Sequence, residues 1–359
     1  MNRRHFINRL AASTTLWSAG STFVAPAILA ADTAVRKRLG IGMHSYGFHW
    51  KAARDKHPQA KFSDALEFLH YAKQLGAGGV QVAVGGKDSA YAARLRADAE
   101  KSEMYFEAQT SLPKQDSLVP QFENEVRLAR EAGALVLRTA LLGGRRYENF
   151  DSAEAFQDFR KQSWQSLTLA EPILKRHRLR LAVENHKDWL AAELVELLHK
   201  LGSEFIGACV DIGNNLALLE EPMTVVETLA PFAFSTHIKD MAVQEYADGF
   251  LLSEVPLGEG FLDLPRMIAT LLKANPGIQF NLEMITRDPL KIPCLTDKYW
   301  TTMRDAPARR LAAALALVRR NRSARPLPQT SGLKFEEQLA SEDRNVRTSF
   351  AYARAHLKL

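Results

Sequence analysis

The chain has only two cysteines in 359 residues, Cys209 and Cys294, with no CxxC pair and no lipobox cysteine. Cys209 lies in an apolar strand-like run and is expected to be a buried free thiol; a disulfide to Cys294, in a loop, is the alternative that export would allow. Beyond the N-terminus, no apolar run approaches the roughly twenty residues a membrane span needs. No glycine-rich dinucleotide fingerprint follows the first strand-like segment, and no repeat of fixed period is visible. Of the formal charge of +6, three belong to Arg3, Arg4 and Arg9, and residues 1–30 hold no acid, leaving a mild +3. With no basic run interleaved with aromatics, nucleic acid is not an expected partner.

What is present begins with an export pattern. Asn2–Asn8 places Arg3 and Arg4 before Phe6, and a weakly apolar stretch follows as far as Ala31. This resembles a twin-arginine translocation signal, which carries folded proteins out of the cytoplasm. The resemblance implies a signal peptide over 1–31, cleaved near Ala30 or Ala31, the twin-arginine translocase as a transient partner, and a periplasmic or otherwise exported protein with no stable membrane insertion afterwards.

From residue 38 onwards strand-like and helix-like segments alternate. Leu39–Tyr46, Gly79–Val84, Met104–Gln109 and Ala134–Leu142 read as strands, separated by helices over Phe62–Leu75, Ser89–Ser102 and Val119–Ala132. A long helix, Ala153–Arg176, precedes four more strands, and helices over Ala191–Leu201, Met223–Leu229, Leu264–Ala274 and Pro307–Arg320 follow or separate them. The strands are short, near-continuous apolar runs, as expected where both faces are covered. Eight βα units with no antiparallel hairpin signal predict an α/β fold, a (β/α)8 TIM barrel over 38–322. Residues 323–359 are expected to form a linker and a C-terminal helix, Lys334–Lys358, packed on the barrel.

The last four strands share one feature: each runs directly into a metal-liking residue. These are Glu184 in Leu181–His186, Asp211 in Ala208–Gly213, His237 in Phe234–Lys239 and Glu283 in Phe280–Ile285. In a barrel they fall at the carboxyl ends of strands, the working face. Three carboxylates and an imidazole make an oxygen-rich site for one divalent cation. Mn²⁺ or Mg²⁺ suits it best, with Zn²⁺, Co²⁺ and Fe²⁺ also compatible. Side chains two apart share a strand face, which adds His186 and Lys239. Arg138 and Glu107 hold comparable places on earlier strands, with Asn214 just after Asp211; these five are the candidate substrate-binding residues. Gln109, His44 and Arg287 read as structural.

The segments Val183–His186, Val210–Asn214, His237–Asp240, Pro256–Gly260 and Leu282–Glu283 resemble the motifs of the xylose-isomerase-like sugar phosphate isomerase/epimerase superfamily, across about residues 38–320. The resemblance implies a metal-dependent enzyme on a small carbohydrate substrate. Glu184 and Glu283 would exchange a proton beside a carbonyl, with Asp211 and His237 as pure ligands. Isomerisation and epimerisation share that step with β-elimination on a keto-sugar or 3-keto-glycoside, and export favours the latter somewhat, because phosphorylated sugars are scarce outside the cytoplasm. A non-catalytic sugar-binding barrel is the alternative of another class. Two departures bear on the substrate: Asn214 stands where many members carry histidine, and Lys239 and Asp240 stand where the epimerases have an arginine. Endonuclease IV chemistry needs further histidines where Gln81 and Asn214 stand. The sequence leaves the sugar and the oligomeric state open, a homo-oligomer included.

Overall fold

The structure is a computed structural model whose described residues are 39–303 and 306–359, so the expected export signal lies outside them. In chain order the described strands are β1 (Gly40–Gly42), β2 (Gly79–Val82), β3 (Tyr105–Gln109), β4 (Val136–Thr139), β5 (Arg180–Glu184) and β6 (Ile206–Asp211). There follow β7 (Ala233–Ile238), β8 (Asp240–Tyr246), β9 (Gly249–Val255), β10 (Asn281–Leu282) and β11 (Leu290–Ile292). Strands β1–β7 and β10 pair in parallel and close a ring in which β1 meets β10, with Gly40 opposite Asn281 and Ile41 opposite Leu282. This is the expected (β/α)8 barrel.

The α-helices are α1 (Gly47–Arg54), α2 (Ala65–Leu75), α3 (Ser89–Lys101), α4 (Val119–Glu131), α5 (Arg146–Asn149) and α6 (Ala153–His177). After them come α7 (Ala191–Leu201), α8 (Pro222–Leu229), α9 (Leu264–Ala274), α10 (Ala308–Arg320) and α11 (Phe335–Tyr352). Local chemistry sets their ends: Asp64, Asp88 and Ser152 accept the N–H groups of Glu67, Tyr91 and Ala155. Gly76, with φ of 79°, closes α2 in the left-handed conformation. A Cβ on Gly40 or Gly79 would collide with the Tyr105 ring. That space lets the Tyr105 hydroxyl cross to the Phe280 carbonyl and the Asn281 amide oxygen, linking β3 to the closing strand.

One expectation fails. Strands β8 and β9 form an antiparallel hairpin, with Asp240 opposite Val255, and β11 adds to β9 as a third antiparallel strand. The turn is Ala247-Asp248 followed by Gly249, whose φ of 149° suits only glycine. The hairpin begins three residues after His237, at Asp240, so the apolar run Met241–Val243 belongs to a sheet outside the barrel ring.

The C-terminal segment packs on the barrel as expected, and its position is specific. Ser323 donates to the Val243 carbonyl on the hairpin. Glu342, on α11, accepts the Phe48 and His49 N–H groups at 2.9 and 3.0 Å, capping α1 from outside. Asp343 accepts the Tyr46 hydroxyl, Asn345 donates to Thr286, and Ser349 accepts the Leu257 N–H. The helix therefore grips the loops after β1, β9 and β10, at the carboxyl end of the barrel.

Candidate metal centre

Glu184 and Asp211 are the last residues of β5 and β6, His237 is the penultimate residue of β7, and Glu283 follows β10 directly. A register shift between Ala208 and Cys209 lets Asp211 stand opposite His237. All four side chains are buried, and one donor atom from each lies within 4.8 Å of the others. The His237 Nδ1 is 3.4 Å from Glu184 Oε2, 3.3 Å from Glu283 Oε1 and 3.8 Å from Asp211 Oδ2. Around an ion with bonds of about 2.1 Å, neighbouring donors stand about 3.0–3.4 Å apart and opposite ones about 4.2 Å. The four donors therefore have the spacing of ligands around one ion, slightly expanded.

The supporting bonds direct these atoms inward. Gln81 gives its amide nitrogen to Glu107 and Ser235, so its amide oxygen faces His237 Nε2 at 2.8 Å and accepts that proton. The Nδ1 lone pair is thereby aimed at the three carboxylates, where it has no hydrogen-bond partner. Asp211 turns Oδ1 to the N–H groups of Gly213 and Asn214, leaving Oδ2 inside. That oxygen also lacks a well-angled hydrogen bond, although Lys239 Nζ approaches it to 2.7 Å. Ser45 brackets Glu283, donating to the Leu282 carbonyl at 2.9 Å and accepting the Met284 N–H at 3.0 Å. An unpartnered imidazole nitrogen facing three carboxylates in a buried cluster fits a divalent cation, and the four residues can hold one.

Electrostatics agrees. Burial alone would push every carboxyl here upward. Against it, Arg138 and a protonated His237 hold Glu184 well below the ordinary carboxylate range, and His237 and Lys239 do the same for Glu283; a bound cation would take the place of the proton on Nδ1. Asp211 is left raised, because burial and repulsion from Glu283 and Glu184 outweigh Lys239. Lys239 itself is burdened by burial but held above its usual range by Asp211 and Glu283.

The other expected site residues are distributed unevenly. Arg138 contacts Glu184, and Asn214 donates to Glu184 at 3.0 Å while accepting from Lys187 and Lys239. Lys239 lies 2.6 Å from Glu283. His186 is half-buried at the mouth, with Nδ1 on the Leu142 carbonyl, and burial and Lys187 push its pKa down to about 3. Glu107 lies deeper, its Oε2 accepting from Gln81, Ser235 and Asn281. Ser235 and Asn281 each precede a cluster residue by two positions, one layer below it. Gln109 bridges Gln81 and His44, and Arg287 pairs with Glu254 on β9.

Three contributors escaped sequence reasoning: Gln81, Ser45 and Lys187. Gln81 had a signal, a polar residue inside the apolar run of β2. Ser45 had none, because its partners are backbone groups 237 and 239 residues away. Lys187 adopts φ of 75°, unusual for a non-glycine residue, which turns its buried ammonium onto Asn214.

Beside the centre lies a cavity of about 840 Å³. Its inner end is formed by His44, Gln109 and Arg138, and it runs outward between the loops after β2, β3 and β4 to α4 and α6.

Residues 69–317 match the family of xylose isomerase-like TIM barrels. The chain belongs to that family. Among its relatives is a 3-oxo-isoapionate decarboxylase from Pectobacterium atrosepticum, 26% identical over 239 residues that cover 65% of this chain and 81% of that one. A crystal structure of D-psicose 3-epimerase with D-fructose superposes with a TM-score of 0.56 at 14% identity, covering 90% of this chain and 100% of the epimerase. A xylose isomerase-like barrel from Mycobacterium smegmatis in complex with magnesium gives 0.52 at 14% identity, covering 78% and 98%. These two likenesses establish the shared fold.

Proposed function

We propose that this family member is a divalent-metal-dependent enzyme that abstracts a proton next to the carbonyl of a sugar. The observation that carries the reading is the convergence of Glu184, Asp211, His237 and Glu283 within 4.8 Å, with the His237 Nδ1 lone pair unpartnered among the carboxylates. Mn²⁺ or Mg²⁺ fits the donor set, and magnesium accompanies the Mycobacterium smegmatis relative. A divalent ion held there supplies Lewis-acid polarisation of a carbonyl oxygen and stabilises negative charge on it.

The chain's own residues do the rest. Glu184 and Glu283 come from strands on either side of His237 in the ring, so their carboxylates flank the centre. One removes the proton from the carbon beside the carbonyl; the other returns a proton to the opposite face. Arg138 and His186, at the mouth, bind substrate oxygens, whereas Asn214 and Lys239 orient the carboxylates. Glu107, buried below with Oε2 accepting from Gln81, Ser235 and Asn281, supports Gln81 rather than touching substrate.

Epimerisation and isomerisation follow when the proton returns to carbon. Elimination follows when the carbanion electrons form a C=C bond and expel the oxygen at the β carbon, which leaves with a proton from the second carboxyl. Loss of CO₂ from a carbon beside a carbonyl leads to the same enolate, and the Pectobacterium relative is a 3-oxo-isoapionate decarboxylase. We also propose that Arg3 and Arg4 direct export through the twin-arginine route. Replacing both by Lys is expected to leave precursor in the cytoplasm, and normal export of that variant would dismiss the signal.

The deciding experiment is metal analysis together with NMR of keto-sugars incubated with the enzyme in deuterated water. About one divalent ion per chain, and deuterium at the carbon beside the carbonyl, are expected. Absence of both in the wild-type protein leaves the sugar-binding barrel as the reading.

A further inference from the structure

We propose that the cavity beside the metal centre is a subsite for a second, uncharged sugar ring, making the substrate a keto-sugar in glycosidic linkage rather than a free monosaccharide. The inference rests on the proton chemistry above and names its substrate class.

Size is the first argument. A hexose has about a dozen non-hydrogen atoms, about half of a drug-sized ligand, whose pockets run to about 300–1,000 Å³. The cavity of about 840 Å³ lies near the top of that range, although the four cluster residues are not among those lining it. His44 and Arg138 line the cavity, and Arg138 also contacts Glu184, so a ring linked to one reacting at the centre would have this volume beside it.

The lining supplies the chemistry. Gln121, Asn124 and Gln162 present amides that keep donor and acceptor capacity beyond their single bonds to Glu125, Arg127 and Lys114, as neighbouring sugar hydroxyls require, while Leu112 and Phe159 offer apolar surface for a ring's C–H face. Charge is sparse and balanced: Lys114 faces the same cavity as Glu125, and Arg138 at the inner end is bonded to Glu184. No pair of free cations is positioned for a phosphate among these residues. Two exposed glycines belong to the lining: a Cβ on Gly86 or Gly143 would meet nothing within 4 Å, and neither has positive φ.

Those glycines provide the test. Gly86→Trp and Gly143→Trp each add a large ring at the cavity's rim without backbone strain and away from the four cluster residues. Mn²⁺-loaded protein is titrated calorimetrically with maltose, cellobiose and glucose. Deuterium incorporation is followed in parallel with 3-ketomaltose and 3-ketoglucose. In the wild type, a disaccharide should bind at least about tenfold tighter than glucose, and 3-ketomaltose should show at least about tenfold higher kcat/KM than 3-ketoglucose. Either tryptophan should bring both ratios toward one, and Gln162→Ala should lower them in part. Wild-type ratios near one, or ratios unchanged in both tryptophan variants, overturn the subsite. If neither keto-sugar exchanges deuterium, the proton chemistry fails, and the calorimetric ratio alone decides the subsite.

Discussion

Around the mouth of this barrel, strands β5, β6, β7 and β10 contribute ionised groups, while β1, β2 and β3 contribute dipoles. On the first side Glu184, Asp211, Glu283, His237 and Lys239 crowd together, each partnered by an opposite charge. On the second side Gln81, Gln109 and His44 form a chain of neutral hydrogen bonds. The acid beneath them, Glu107, is driven upward by burial despite bonds from Ser235, Gln81 and Asn281. Arg138 on β4 is the seam, touching Glu184 and facing the cavity. The division assigns tasks: concentrated charge suits an ion and a proton, whereas dipoles suit hydroxyl groups that must be bound and released. The neutral half also holds the charged half in register, and the bond from His237 to Gln81 joins it directly to the cluster.

Breaking the charged half should have the largest effect. His237→Ala removes the only nitrogen donor of the cluster and is expected to abolish stoichiometric metal content, read by elemental analysis, and with it deuterium exchange. Glu184→Gln and Glu283→Gln each remove a proton carrier, so turnover should fall about 10²–10⁴-fold with metal content measured in the same samples. Near-normal turnover in both with metal bound would falsify the proton-shuttle roles.

The neutral half is probed next. Gln81→Leu frees His237 to rotate and leaves Nε2–H unpaired, so metal affinity should drop about 10–100-fold without loss of a ligand. Unchanged affinity would mean that Gln81 only fills space. Ser45→Ala removes the bracket on Glu283, a loss of about 1 kcal/mol in net hydrogen bonding, or about fivefold in metal affinity if Glu283 is displaced. An equal loss of affinity in Ser45→Ala and in a Ser45→Ala/Glu283→Gln double variant, relative to their parents, would show that the serine does not act through Glu283.

The smallest effect concerns pH. Burial pushes the Glu342 carboxyl up to about 8, so the folded protein keeps a proton that the unfolded chain releases near pH 4.5. Between those values the folded state binds more protons, and this group's contribution to stability falls as pH rises, reaching its minimum above about pH 8. Glu342→Gln should flatten that part of the Tm-versus-pH curve, and an unchanged slope would place the carboxyl in its ordinary range.

The barrel was legible because each strand is a brief apolar run between capped helices, and the four cluster residues because each ends such a run. The strand limits were less so: β1 is only Gly40–Gly42, and Met43–Tyr46 turns helical at the mouth. The hairpin was missed because Met241–Val243 continues the apolar character of β7, although Asp248-Gly249 marked its turn. Gln81 and Ser45 act across the barrel on groups remote in sequence, which no local pattern encodes. Depth was equally hidden: Glu107 and Gln109 share a face of β3, and only the neighbouring strands decide which of them meets the cavity. Both cysteines are free and buried, as expected for Cys209.

The pairing of β1 with β10, reinforced by α11 on α1, has a consequence for the order of events during synthesis. Glu283 and Ser45 cannot meet until β10 has been made, and the turn holding Ser45 is pinned only once α11 brings Glu342 to α1. A nascent chain on the ribosome can assemble the middle of the barrel from neighbouring units but not its last closure, which joins segments of great sequence separation. Any ion capture at this centre therefore waits until the segments carrying Glu283 and Glu342 have both emerged.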